Sequence, residues 1–344
     1  MKTLIFIGHD NIGDSFVVRN IIDTISHYVP NIEVLLYNKN SIKTAILFKN
    51  HPNIVSVKPL STKIFSLNIL KHTALLYKNI LQKLKTDNVH ITSLLGSRTV
   101  YNLLKPLLWW NRIFMHNKII ILHLQPLFDV TPIHTHLTQF HYQLFSNELE
   151  KEISEHNPYP LVKTLGICKV QQEQTIAILA GATKIWKVLS SQKFIKIAKY
   201  FSKKGFKIKL LGSNSKIDLS QAGDISSKAG DKIENLTGKT SITELLQEIY
   251  SASYVITNDS SAQHICRSFG VPCAVIWGRW EKSQTVKAYA WNEEKILNIF
   301  NEPYIFNNQN DDIGRKKDLI SLNLETMPVE KIINKIERHI GQVL

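Results

Sequence analysis

Two successive series of short apolar runs, each run followed by a helical pattern, constrain this chain more than any other feature. In the first series Thr3–Ile7, Ile32–Leu36, Ile54–Val57, Asn88–Leu95 and Lys118–Leu122 read as strands. The first helical pattern starts near Ser15 and carries Phe16, Val17, Ile21, Ile22 and Ile25. In the second series the strand candidates are Thr175–Leu179, Lys207–Leu211, Tyr254–Thr257 and Cys273–Trp277. The helix candidates between them are Gln192–Lys203, Ile242–Ser251 and Ala262–Phe269. Strands that alternate with helices imply βαβ units and a parallel sheet. The polar stretch Ser146–Pro160, with Asn157-Pro158-Tyr159-Pro160, reads as a turn or linker between the series. The expected fold is α/β, with two Rossmann-like domains facing a central cleft and ligands at the carboxyl ends of the strands. The expected boundaries are 1–160 for the first domain, 168–325 for the second and 326–344 for a C-terminal helix. That helix carries an apolar stripe of Val329, Ile332, Ile333 and Ile336, and is expected to pack back on the first domain.

Composition narrows the class. A length of 344 residues fits two domains, and 44% apolar residues exclude a wholly disordered chain. Three cysteines without a CxxC pair exclude a disulfide-stapled scaffold and make a cysteine-based zinc site unlikely on spacing alone. The apolar run Leu4–Ile7 is too short for a signal peptide, and no apolar stretch reaches the ~18 residues of a membrane span. A cytoplasmic protein is expected, either soluble or peripheral on a membrane. Residues 1–118 hold 15 basic and 5 acidic side chains, a net of +10, and the rest of the chain carries the other +4 of the total +14. The basic excess is either a solvated surface or an attractor of anionic partners, namely lipid headgroups or a phosphorylated acceptor. Nucleic acid is not expected, since no RNP, zinc-finger or helix-turn-helix signature occurs. Leu103–Phe114, with Trp109-Trp110 beside Lys105 and Arg112, suits a membrane interface, but core packing is the commoner fate of such a helix.

The loop Gly8-His9-Asp10-Asn11-Ile12-Gly13-Asp14-Ser15 has the spacing of a phosphate-binding Walker A loop, with Asp14 in the lysine position. A carboxylate there repels phosphate. At the start of a helix it suits a general base held ionised by the helix N-terminus, or a simple helix cap, the commoner role. Three loops of the second series each place small residues near a helix start, which is the physical requirement for holding phosphate. They are Ala180-Gly181-Ala182-Thr183-Lys184-Ile185-Trp186, Leu236-Thr237-Gly238-Lys239-Thr240-Ser241 and Asn258-Asp259-Ser260-Ser261-Ala262-Gln263-His264. Any one of them is a weak signal; three in one half are compatible with a nucleotide-diphosphate site.

These residues, in this order, resemble glycosyltransferase family 9, the bacterial heptosyltransferases. The resemblance is carried by Gly13-Asp14, Lys184-Ile185-Trp186, the stretch from Leu236 to Leu245, Asp259-Ser260-Ser261-Ala262-Gln263-His264, Gly270-Val271-Pro272 and Ile276-Trp277-Gly278. It implies a GT-B fold and an inverting, metal-independent transfer of a sugar, typically heptose from ADP-heptose, to a lipopolysaccharide or lipooligosaccharide core acceptor. No cofactor is implied beyond the nucleotide-sugar substrate. It implies that Asp14 is the catalytic base and that Lys184 contacts the donor phosphates. It further implies donor contacts from Ala182, Thr183, Gly212, Gly238, Lys239, Thr240, Asp259, Ser260, Ser261 and His264, and acceptor contacts from Asp10, Asn11 and Gly13. The implied location is the cytoplasm, at the inner face of the bacterial inner membrane.

The chain departs from the family pattern at three places. Ser261 stands where glycine is usual, Lys187 stands where proline commonly follows the tryptophan, and the acidic residue expected after Gly212 is out of register, with Asp218 somewhat later. Two other readings stay open: a catalytically silent binding homologue, and a GT-B enzyme that uses a UDP- or GDP-sugar. Trp186 reads as packing, and His264 reads equally as a core or a site histidine.

Overall fold

β1 (Thr3–Ile7), β2 (Glu33–Asn38), β3 (Ile54–Pro59), β4 (Val89–Ser93) and β5 (Ile119–His123) form one sheet in the order β3-β2-β1-β4-β5. All its pairings are parallel. β6 (Thr175–Leu179), β7 (Lys207–Leu210), β8 (Ile233–Asn235), β9 (Tyr254–Asn258), β10 (Cys273–Trp277) and β11 (Ile296–Phe300) form a second parallel sheet. Its order is β11-β10-β9-β6-β7-β8. Counted from its own first strand, that is the doubly wound 3-2-1-4-5-6 order of a Rossmann sheet. The computed structural model describes residues 1–8, 12–38, 41–59, 67–85, 87–94, 98–114, 118–123, 135–156, 161–170, 174–230, 233–279, 281, 283–301 and 317–344. The chain divides into two compact units, Met1–Leu165 and Gly166–Leu344.

Why these runs become strands is visible in their burial. β1, β4, β6, β9 and β10 are buried at every position. A parallel strand covered on both faces reads as a continuous apolar or β-branched run, as TLIFI and TIAIL do. In the first unit α1 (Ile12–Tyr28) is buried from Gly13 to Ser26. α2 (Ser41–Phe48) follows β2, and α3 (Leu67–Lys83), with Leu84 just after it, and α4 (Arg98–Phe114) pack Leu76, Ile80, Leu84, Leu104 and Leu107 against Ile5, Leu35 and Ile91 of the sheet. A buried charge cluster ties α1 to the segment before β3. Asp23 accepts from Arg19 Nε at 2.9 Å and lies 2.9 Å from His51 Nε2, while Arg19 also donates to the Leu47 carbonyl.

Three sequence expectations are corrected here. Ser146–Leu149 of the expected linker is the end of helix α5 (Leu137–Leu149), and Asn157–Pro160 lies outside the described residues. Trp109 and Trp110 are not core residues; they are 65% and 38% exposed. The stripe Leu104, Leu107, Asn111 is the buried edge of α4; Trp109 falls on the opposite side and Trp110 on the flank. The C-terminal helix Val329–Val343, expected on the first domain, belongs to the second unit. It joins the second unit's core through Ile332, Ile333 and Ile336. Its polar edge is fastened there as well: Tyr200 Oη donates to Glu337, Lys204 pairs with Glu337 at 2.9 Å, and the His339 ring bonds Tyr254 Oη and the Glu294 carbonyl. The apolar stripe required a core, and the one beside β11 and helix Ser191–Lys203 supplies it.

The carboxyl end of the first sheet carries a histidine pair with a consequence for acid stability. His123 ends β5 with its Nε2 buried and without a partner among the described residues. Burial first, and then neighbouring His141, push its pKa down from 6.5 to about 4. The folded chain therefore keeps His123 neutral where the unfolded chain would protonate it. Its contribution to stability is complete above pH ~6.5 and is lost as pH falls toward ~4. After allowance for partial exposure this loss is about 1–3 kcal/mol. Urea midpoints measured near neutral pH and near pH ~5 should show this decline, and His123→Asn should flatten it. An unchanged slope in the variant would place the acid sensitivity elsewhere.

Candidate functional site

The switch point of the second sheet lies between β6 and β9, where sheets of this order bind ligands at the strands' carboxyl ends. The loop after β6 begins with buried Ala180 and Ala182. Lys184 follows in extended conformation, and Ile185–Lys187 forms a single 3₁₀ turn. The next helix starts at Ser191, one residue before the expected Gln192. The backbone N–H groups near Lys184 thus belong to a short turn and not to a full helix end. Asn258, at the end of β9, stitches the two loops together: its Nδ2 donates to the carbonyls of Ala180 at 2.6 Å and Gly181 at 3.3 Å, and its Oδ1 accepts from Leu189 N at 3.0 Å. Sequence reasoning did not single out Asn258. Its place at the end of an apolar run, directly before Asp259, was the available signal.

Asp218 is the larger omission. It lies in the first turn of helix Lys216–Ala229, whose Ser215 cap accepts from Asp218 N at 3.1 Å. Its carboxylate accepts from Ser213 N at 2.7 Å and Ser213 Oγ at 2.8 Å. A methyl group at Gly181 would stand 1.9 Å from Asp218 Oδ1, and one at Gly212 would stand 3.1 Å from Asp218 Oδ2. The acidic residue that looked out of register is therefore seated over both glycine loops. Gly181→Ala should cost about 1–3 kcal/mol, as overpacking generally does, because Asp218 must leave its Ser213 contacts. A denaturation midpoint equal to wild type would show that Asp218 moves aside freely. Gly238 completes this edge. Its φ of +72° favours glycine, and its N–H donates to the Gly212 carbonyl at 3.1 Å. Thr240 follows half-exposed, and the Lys239 ammonium donates to the Asn235 carbonyl at 2.8 Å. Ser241 caps the next helix in a full capping box with Glu244, as its place in the sequence suggested.

On the β9 side Asp259 lies 2.6 Å from Lys187 Nζ and 3.9 Å from Arg279 Nε. Both cations also lie over the Trp186 ring, at 5.7 and 5.4 Å. Lys187, a departure from the family pattern, is thus the partner of Asp259, and Trp186 is their platform. Arg279 went unnoticed in the sequence because it follows the last strand-end glycine with no motif around it. Ser261 adopts φ −59° and ψ −23°, so its replacement of glycine costs no backbone strain. Ser260 Oγ bonds Thr257 Oγ1 and accepts from Ala262 N. His264 is 5% exposed, and its Nδ1 accepts from Trp291 Nε1–H at 3.0 Å, a core placement.

In the first unit the switch point lies between β1 and β4, and α1 begins beside it. α1 starts at Ile12, so Asp14 is its third residue and not its cap. Asp14 is 6% exposed and Gly13 is buried. Asp10 and Asn11 lie outside the described residues. No group of three or more His, Cys, Asp or Glu able to hold a metal ion occurs among the described residues.

The family model for glycosyltransferase family 9 (heptosyltransferase) matches residues 123–311, more than half of the chain. The chain belongs to glycosyltransferase family 9. As a member it is a glycosyltransferase. Its matched stretch includes every second-unit loop described above. No curated protein sequence matches the chain. Among solved structures it is similar to a glycosyl transferase family 9 protein from Veillonella parvula DSM 2008, with TM-score 0.74 and 16% identity over 99% of this chain and 98% of that one. It is similar to the Escherichia coli heptosyltransferase WaaC with ADP, with TM-score 0.70 and 12% identity over 98% and 99% of the two chains. It is also similar to E. coli ADP-heptose lps heptosyltransferase II, with TM-score 0.65 and 13% identity over 99% of each chain. At such identities the likeness is one of fold, and it establishes GT-B for this chain. No helix among the described residues is long and apolar enough to cross a membrane.

Proposed function

We propose that this family 9 enzyme transfers heptose from ADP-heptose to a lipopolysaccharide or lipooligosaccharide core acceptor, with inversion and without a metal. The observation that carries the donor half of this reading is the edge built by Gly181, Gly212, Asp218 and Gly238 beside the exposed Lys184. Gly181 and Gly212 leave room for Asp218, whose carboxylate suits ribose hydroxyls, and Lys184 suits the diphosphate. Adenine is favoured because the structural relatives WaaC and heptosyltransferase II are described with ADP or ADP-heptose.

The chemistry is a single displacement. Asp14 takes the proton of an acceptor hydroxyl, and that oxygen attacks the anomeric carbon. The bond to the diphosphate breaks, and its pair of electrons leaves on the phosphate oxygen. Lys184 meets that developing charge, with support from the dipole of helix Ala262–Phe269. The proposed location is the cytoplasmic face of the bacterial inner membrane, where the basic first unit faces phosphorylated acceptors.

A thermal-shift panel of ADP-, UDP- and GDP-sugars tests the donor. ADP-heptose near 100 times its dissociation constant should add about 2.7 kcal/mol of stability, and the other sugars much less. Preference for a UDP- or GDP-sugar would overturn the donor assignment, and stabilisation without any transfer would favour a silent binding homologue. Transfer should continue in EDTA; loss on chelation with rescue by magnesium or manganese would overturn the metal-free chemistry.

A further inference from the structure

We infer that the outer face of α3 and α4 docks on an anionic lipid bilayer. The inference extends the proposed membrane-side location but rests on surface chemistry alone, independent of the donor and the reaction. From Val34 to Phe128 the sequence holds 13 Lys and Arg and one acidic residue, Asp87. Asp87 is paired with Lys2 at 3.3 Å.

α3 and α4 lie against the same strands of the first sheet, and Tyr77 Oη of α3 donates to the Leu103 carbonyl of α4. Their outer sides therefore form one surface. α3 and the residues just after it turn Lys71, Lys78, Leu81 and Lys85 to solvent. α4 turns out Lys105, Trp109, Trp110, Arg112 and Ile113. Three apolar side chains on this surface are well exposed: Trp109 at 65%, Ile113 at 48% and Leu81 at 39%.

Indole rings with aliphatic side chains, ringed by long cationic ones, match the layered chemistry of a bilayer interface. The rings and aliphatic groups enter the headgroup–acyl boundary, and the ammonium and guanidinium groups stay at phosphate depth. A second copy of the chain is disfavoured as occupant because two such faces would oppose like charges. A nucleic acid would be held by stacking rings within a basic groove, whereas these rings stand on the outside of a helix beside Ile113 and Leu81.

Vesicle flotation with the full chain decides the matter. The protein should float with phosphatidylethanolamine vesicles that contain phosphatidylglycerol and should stay behind with vesicles that lack it. Binding should weaken as salt rises, since the cations are exposed. Lys78→Glu with Lys105→Glu should lower the partition coefficient by more than the about fivefold expected for each cation removed. Trp109→Ser with Ile113→Ser should lower it by at least about tenfold, with melting temperature and ADP affinity unchanged. Flotation independent of phosphatidylglycerol, or unaffected by either pair of substitutions, would overturn the inference. So would tighter binding to a single-stranded oligonucleotide, or a dimer dispersed by the Trp109 variant. ADP titration of the same samples keeps this separate from the donor reading: a chain that floats but ignores ADP fails only the latter.

Discussion

Asp14→Asn is expected to lower turnover by about 10²–10⁴, the usual worth of a positioned general base, while donor affinity stays near wild type. Asparagine keeps the size of the side chain and its hydrogen-bonding oxygen but does not accept the acceptor's proton. The position of Asp14 sharpens the test. It is the third residue of α1, so the substitution leaves the helix cap itself intact. What a structural role would lose is the charge of a buried carboxylate near the helix N-terminus, up to about 2 kcal/mol. That loss would register as a small fall in melting temperature, with transfer preserved. The catalytic role predicts the opposite pattern, with a stable protein and little turnover. Near-normal transfer by the folded variant would return Asp14 to a structural place.

The sequence made the architecture readable because both sheets are parallel and buried on both faces, so their central strands stand out as unbroken apolar runs. Thr175–Leu179, Ile242–Ser251, Ala262–Phe269 and Cys273–Trp277 were read with the bounds the structure shows. The elements missed were of another kind. β8 is three half-buried residues at the edge of its sheet, and β11 is the opposite edge, where fewer neighbours enforce a pattern. The amphipathic C-terminal helix declared that it needed a core but not which one, since a stripe carries no address. Trp109 and Trp110 show the same limit: composition marks an apolar helix, and only the phase set by Leu104 and Leu107 decides what faces out. Asp218 was hidden because its meaning is tertiary. Its distance from Gly212 along the chain looked wrong, yet the helix starting at Lys216 brings its carboxylate over Gly212 and Gly181 together.

Lys184→Ala should cut kcat/KM by about 10²–10³, the loss typical when one preorganised donor to a developing charge is removed. The reason lies in how the neighbouring cations are used. Lys187 is held by Asp259 at 2.6 Å, the Lys239 ammonium by the Asn235 carbonyl, and Lys193 by the carbonyls of Leu324, Glu325 and Met327. Among the described residues no acidic side chain pairs with Lys184, which stands exposed where the loop after β6 enters its 3₁₀ turn. Its charge is therefore available to a diphosphate without first breaking an internal bond. Because the side chain is exposed, its removal should leave the melting temperature close to wild type, within about 0.5 kcal/mol. Lys187→Ala should differ in kind: it strips Asp259 of its 2.6 Å partner and should destabilise the loop as well as weaken binding. Lys184→Arg should recover part of the activity, since charge is kept while the fork geometry changes. Calorimetry with ADP and steady-state transfer, run on all three variants, separates these outcomes. Unchanged ADP affinity together with unchanged turnover in Lys184→Ala would remove this residue from the site and leave Arg279, 3.9 Å from Asp259 and stacked over Trp186, as the cation to test next.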